Sequence, residues 1–181
     1  YGTSVTFASS RDEVKGLEAI RRRLPEIKQL GANVLWMMPL TPPFDEEGGA
    51  GYDVLDYKKL WPQLGSPAEL KRLVREAHQL GMKVIIDVVL NHSSAHHPYV
   101  LDIQKNGRKS PYYDFYQREK IPHVPYADAM NTKVLNGTTF IYYFWDELLN
   151  FNFEDERLRD YLLDVVSFWV TEYGIDGYRF D

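Results

Sequence analysis

Three times along the chain a helical pattern closes on a glycine and an apolar run follows at once. "QLGANVLWMMPL" leads into 33–40, "QLGMKVIIDVVL" into 82–90, and "EYGIDGYRFD" into 175–181. Leu17, Ile20, Leu24, Ile27 and Leu30 mark the first helix by their spacing, and Gly31 ends it. Pro25 lies inside that pattern, so the helix is expected to begin near Leu24 or to kink there. The second is an almost ideal helix. Ser66 is its N-cap, Pro67 its first residue and Glu69 the partner in a capping box. Leu70, Leu73, Val74 and Ala77 form its stripe and Gly81 terminates it. The third covers 155–174, and "TSVTF" (3–7) reads as a short strand ahead of them all. Unbroken apolar runs such as 33–40 are those of strands buried on both faces of a parallel sheet.

The resulting β-α-β-α-β-α-β order predicts an α/β fold with right-handed crossovers. One crossover is unlike the others. From Asn91 to Asp155 run roughly sixty residues rich in Tyr, Pro, Asn and Asp, a length normally reserved for a functional loop or a small domain. Inside it, "TKVLNGTTFIYY" predicts a hairpin turning on Asn136 and Gly137.

Composition narrows the function classes. The 181 residues are 44% hydrophobic and 26% charged, as in a soluble globular protein. A net charge of -5 without any basic run gives no footprint for nucleic acid. With no cysteine, disulfide scaffolds and thiolate metal sites are excluded. No apolar run approaches a membrane span, and no signal-peptide pattern opens the sequence, which leaves the compartment open.

Parallel sheets bind ligands at the carboxyl ends of their strands. Tyr52 and Asp53 follow the second predicted strand, and Asp87, Asn91 and His92 end the third. Arg179 and Asp181 end the fourth, two residues apart and therefore on one face, with Tyr178 and Phe180 on the other. A carboxylate beside a guanidinium is oriented by it and kept ionised, which suits a nucleophile better than a proton donor. Asp87 sits in an apolar strand, where a carboxylate is costly unless paired, and Arg179 is its natural partner. Each feature alone has a bland reading, a frayed ion pair or a core histidine. Their convergence on one rim favours a site. The run "HSSAHHP" suggests zinc through His92, His96 and His97, but Pro98 breaks the spacing and no helix fixes it.

These segments resemble the α-amylase superfamily, glycoside hydrolase family 13. "DVVLNH" is similar to its first signature region, "GIDGYRFD" to its second, and "GANVLWMMPL" and "GYDVLDYKKLWPQLGSPAEL" to the strand-two region and the segment after it. The resemblance implies the first half, strands 1–4, of a TIM (β/α)8 barrel with a domain B insertion after strand 3. Residues 1–92 would form the first part, 93–150 the insertion, and 151–181 the third helix and fourth strand.

By the same resemblance the activity is that of a retaining glycosidase or transglycosylase on α-glucosidic bonds of oligo- or polysaccharides. Asp181 would be the nucleophile, Arg179 its orienting partner and Asp87 the support of Arg179. Tyr52 would stack on the sugar and His92 bond one of its hydroxyls. Asp53 would contact a terminal sugar in an enzyme acting from chain ends. The family's acid/base glutamate and third catalytic aspartate follow strands five and seven, which these residues do not reach. A complete barrel takes ~250 residues. The chain is therefore expected to be a fragment, inactive alone.

No cofactor is required. Calcium enters through Asn91, which matches a ligand of the amylases proper. The calcium pattern after strand one is absent, "SSRDEVKG" standing there, and in "LNFN" Asn150 replaces a position that is acidic in some members. The implied partner is an α-glucan or oligosaccharide, with no nucleic acid or membrane and an open oligomeric state. The alternative is an inert amylase-fold module used for binding or assembly. Inert members lose the nucleophile, the arginine or the histidine, and this chain keeps all three.

Overall fold

The structure, a computed structural model, describes residues 16–45, 51–119 and 130–181. The predicted strand at 3–7 lies outside them. In chain order the elements are α1 (Gly16–Gln29), β1 (Val34–Met37), α2 (Pro67–Gln79), β2 (Lys83–Val88), β3 (His92–Ser94) and α3 (Pro98–Asn106). Then come β4 (Asn131–Leu135), β5 (Thr138–Tyr142), β6 (Leu148–Asn150), α4 (Glu156–Tyr173) and β7 (Gly177–Phe180). They fall into two compact units. One comprises the described parts of Tyr1–Pro42 with Tyr57–Val88 and Asp164–Asp181, the other the described parts of Pro43–Asp56 and Val89–Leu163.

The first unit is an open, all-parallel sheet in the order β1-β2-β7, with no closed barrel among the described residues. Leu35 and Met37 of β1 pair with Val84 and Ile86 of β2, and this face is almost fully buried. The opposite face carries Val34 and Trp36, 44% and 48% exposed in this chain. Helix α2 has its full capping box, Ser66 accepting from the Glu69 N–H and Glu69 reaching back. Helix α1 runs unbroken through Pro25 from Gly16, so it does not start at Leu24. Its entry is set by contact: Gly16 has φ 64°, and a Cβ there would lie 2.1 Å from the Leu64 carbonyl oxygen. Only glycine fits so close an approach. Leu30 falls beyond the end of α1 and is 77% exposed, so it is not part of the buried stripe. Arg21 links the two helices, donating to Glu18 at 2.6 Å and Glu76 at 2.7 Å.

The second unit holds two small antiparallel sheets, β3-β6 and β4-β5. The hairpin turns on Asn136 (φ 46°) and Gly137 (φ 77°), the paired positive angles of a type I′ turn. Its core is aromatic. Tyr116 packs against Phe140 and Phe151, and its hydroxyl meets Ser93 at 2.7 Å. The segment Pro43–Asp56 belongs to this unit, whereas the sequence reading counts it with 1–92. A Pro43–Val54 bridge and a bond from Ser94 N to Val54 O tie it there. Among the described residues no helix is long and apolar enough to cross a membrane.

Candidate active site

The sheet unit brings three predicted residues together and adds a fourth. In the β2-β7 register Asp87 lies beside Arg179, so both point to the open face. The backbone ladder continues past β7: Asp181 N donates to Val88 O at 3.2 Å, which holds the last residue against the neighbouring strand. From there the Arg179 guanidinium donates through one nitrogen to Asp181 Oδ1 at 2.5 Å and to Asp87 Oδ2 at 3.4 Å. Asp87 is the buried member, its side chain 2% exposed against 43% for Arg179 and 30% for Asp181. Its other oxygen accepts from Trp36 Nε1 at 2.7 Å. The Arg179 guanidinium carbon also lies 5.8 Å from the centre of the Trp36 ring. Trp36 is the participant that the sequence reading missed, since it stands in an apolar run and reads as core. The available signal was a buried carboxylate needing donors, with an N–H-bearing ring on the adjacent strand.

The other predicted residues gather in the second unit. Strand pairing sets His92 opposite Asn150, both buried. His92 Nε2 lies 3.1 Å from the Tyr52 carbonyl oxygen, and its Nδ1 is 3.3 Å from the Asn91 amide nitrogen. A carbonyl only accepts and an amide NH₂ only donates, so these partners select the tautomer with hydrogen on Nε2. His92 thereby fixes the backbone that carries Tyr52.

Asp53 is 1% exposed, and its Oδ2 accepts from the Asp45 N–H at 2.6 Å. Burial pushes its carboxyl above the usual carboxylate range, with the N–H of Asp45 pulling the other way. The side chain thereby staples its own loop.

The three clustered histidines do three separate jobs. His96 stacks on Phe44, with ring centres 3.6 Å apart and planes within 9°, and its Nε2 is 3.2 Å from Glu147 Oε2. His97 caps α3 by accepting from the Tyr99 N–H at 3.2 Å, and burial pushes its imidazole down to about 4. Among the described residues no three His, Cys, Asp or Glu side chains gather as metal ligands. The Asn91 amide nitrogen faces the His92 ring.

The alpha amylase catalytic-domain model matches residues 4–181. The chain belongs to this family of glycoside hydrolases. It is 32% identical over 179 residues to alpha-amylase 3 of Dictyoglomus thermophilum, covering 97% of this chain and 34% of that one. It is 30% identical over 186 residues to oligo-1,6-glucosidase of a Bacillus species (strain F5), covering 97% and 35%. The crystal structure of Bacillus licheniformis trehalose-6-phosphate hydrolase superposes with a TM-score of 0.79 at 28% identity, over 96% of this chain and 32% of that chain. The chain thus spans about a third of the length of the curated relatives it matches. The open sheet with its inserted unit is the strand–helix half of their barrel fold.

Proposed function

We propose that the protein is a retaining glycosidase or transglycosylase acting on α-glucosides, and that this chain supplies its nucleophile. The observation that carries the reading is the run from Trp36 through Asp87 and Arg179 to Asp181. It aims one carboxylate, held by a guanidinium, at the carboxyl end of a parallel sheet. A covalent step needs such an oxygen held in place beside developing positive charge.

In the first half-reaction an Asp181 oxygen forms a bond to the anomeric carbon while the glycosidic C–O bond breaks. The departing oxygen takes its proton from a general acid, which a retaining enzyme places on a second carboxyl ~5 Å away. Water, or a sugar hydroxyl in transglycosylation, then displaces Asp181 with that group as base. Arg179 orients the nucleophile and Asp87 braces Arg179. Tyr52 and His92 belong to the inserted unit, and the family resemblance assigns the first to stacking on a sugar and the second to bonding a hydroxyl through its Nε2–H. A substrate hydroxyl there would share or replace the Tyr52 carbonyl as acceptor. Calcium, if bound, would use the Asn91 side-chain oxygen; the chemistry requires no cofactor. The relatives named alpha-amylase 3, oligo-1,6-glucosidase and trehalose-6-phosphate hydrolase support the α-glucoside class.

The test is trapping. Incubation of the intact protein with 5-fluoro-α-glucosyl fluoride should add one fluoroglucosyl mass to the peptide containing Asp181. D181N should show no adduct and no turnover of 4-nitrophenyl α-glucoside or maltopentaose. An adduct on another residue, or full turnover by D181N, overturns the assignment. Residues 1–181 alone should not turn over maltopentaose, because the departing sugar oxygen would lack its general acid.

A further inference from the structure

We infer that Trp36 is a positioning residue for the nucleophile, acting through Asp87 rather than by packing; this rests on the reading of Asp181 above. Trp36 occupies β1, one strand removed from Asp87 and two from Asp181, and parallel registers put all of them on one face. Trp36 is 48% exposed on that face. It makes a 2.7 Å hydrogen bond to Asp87 Oδ1. That bond occupies one oxygen of a carboxylate whose other oxygen takes Arg179 at 3.4 Å, while Arg179 makes its short 2.5 Å bond to Asp181.

The division of labour is informative. A buried carboxylate facing a guanidinium tends to form a two-toothed pair with it. Here the indole N–H claims one oxygen, which keeps Asp87 from drawing the guanidinium wholly to itself. Arg179 is left forked between the two carboxylates, with the shorter bond to Asp181. The Trp36 ring, 5.8 Å from the guanidinium carbon, adds a cation–π contact that holds the fork over the open face. Phenylalanine at this position would keep the ring and lose the donor. Asp87 would then swing towards Arg179 and loosen Asp181 without touching the sugar-binding groups.

The experiment compares W36F, D87N, the double variant and D181N in the intact protein, with 4-nitrophenyl α-glucoside and maltopentaose as substrates. W36F should lower kcat about tenfold and leave KM within about twofold, since the lost bond acts on the reacting carboxylate rather than on binding. The trapping rate with 5-fluoro-α-glucosyl fluoride should fall by the same factor. In the D87N background the W36F change should cost less than about twofold, the non-additivity of residues in one chain of contacts. W36F with kcat within twofold of the parent, or effects that simply multiply, overturns the inference. If W36F does not fold, NMR of the parent protein decides: the Trp36 indole Nε1–H should resonate downfield and exchange slowly. A freely exchanging indole proton overturns the inference. Full turnover by D181N defeats the nucleophile reading and this inference with it. A dead D181N beside a normal W36F defeats only this inference.

Discussion

The sheet unit and the inserted unit handle buried polarity in opposite ways. In the sheet unit polar groups are charged and linked in series: Trp36, Asp87, Arg179 and Asp181 at the carboxyl ends of the strands. Asp176 does similar work at the amino ends, taking His78 at 2.6 Å, Lys83 at 2.8 Å and the Val84 N–H at 2.9 Å. In the inserted unit buried polar groups are mostly neutral. Ser93 meets Tyr116, Tyr99 stacks on Tyr112 with ring centres 3.9 Å apart, and His97 is held uncharged. Even Arg118 lies against rings, 4.3 Å from those of both Tyr113 and Phe140. Parallel strands deliver unlike charges side by side at their ends, where solvent still reaches them. An insertion with little regular structure closes its core by packing aromatics, among which an unpaired charge is expensive. Charge-altering changes should therefore strike chemistry in the first unit, and proton uptake should strike stability in the second.

The largest test of that contrast is D181N, which should lower kcat by at least about 10⁴-fold, as removal of a covalent nucleophile does, with the melting temperature little changed. A variant that unfolds instead would make the pair structural. R179K comes next: kcat should fall about 10²-fold or more, because a shorter side chain ending in a tetrahedral ammonium sets its donors at other positions than the planar guanidinium nitrogen that now meets both carboxylates. Activity near that of the parent would show that charge alone suffices.

The inserted unit should respond to acid. His97 is pushed down to about 4 from 6.5, so between those values the unfolded chain takes up a proton that the folded chain does not. Its contribution is complete above about 6.5 and is lost as pH falls towards 4, up to about 3 kcal/mol at 1.36 kcal/mol per unit. Thermal melts between pH 7 and pH 4 should show that slope, and His97→Gln should flatten it. An unchanged slope would remove His97 as the cause. The smallest effect belongs to Asp176. Partial burial raises its carboxyl, but Lys83, the Val84 N–H and His78 outweigh this and lower it to about 2. Its contribution is complete above the ordinary 3.8 and is lost only as pH falls through about 2. D176N should cost about 1 kcal/mol at neutral pH, since Lys83 is exposed and the pairs are partly screened. It should leave kcat unaltered.

Local signals carried the elements well. Ser66, Pro67, Glu69 and Gly81 bound α2 because capping is a matter of a few adjacent residues. Asn136 and Gly137 made their turn because few other residues tolerate two positive φ angles in succession. Pro25 misled, since a helix that gains one face of packing tolerates a single missing N–H.

Among the site residues, the i, i+2 spacing of Arg179 and Asp181 follows from strand geometry, and so does the need of Asp87 for a partner in an apolar run. Both were therefore legible in one dimension. The choice of partners was not. Asp53 and Asp87 are both aspartates near apolar stretches, yet one staples a loop through the Asp45 N–H and the other braces a guanidinium. Trp36 looks like any core aromatic until the register of β1 against β2 sets its N–H toward a carboxylate 51 positions away. Periodicity and caps depend on near neighbours and are written in the sequence itself. Which donor meets which buried acceptor depends on strand register, and that is decided only when distant segments pair.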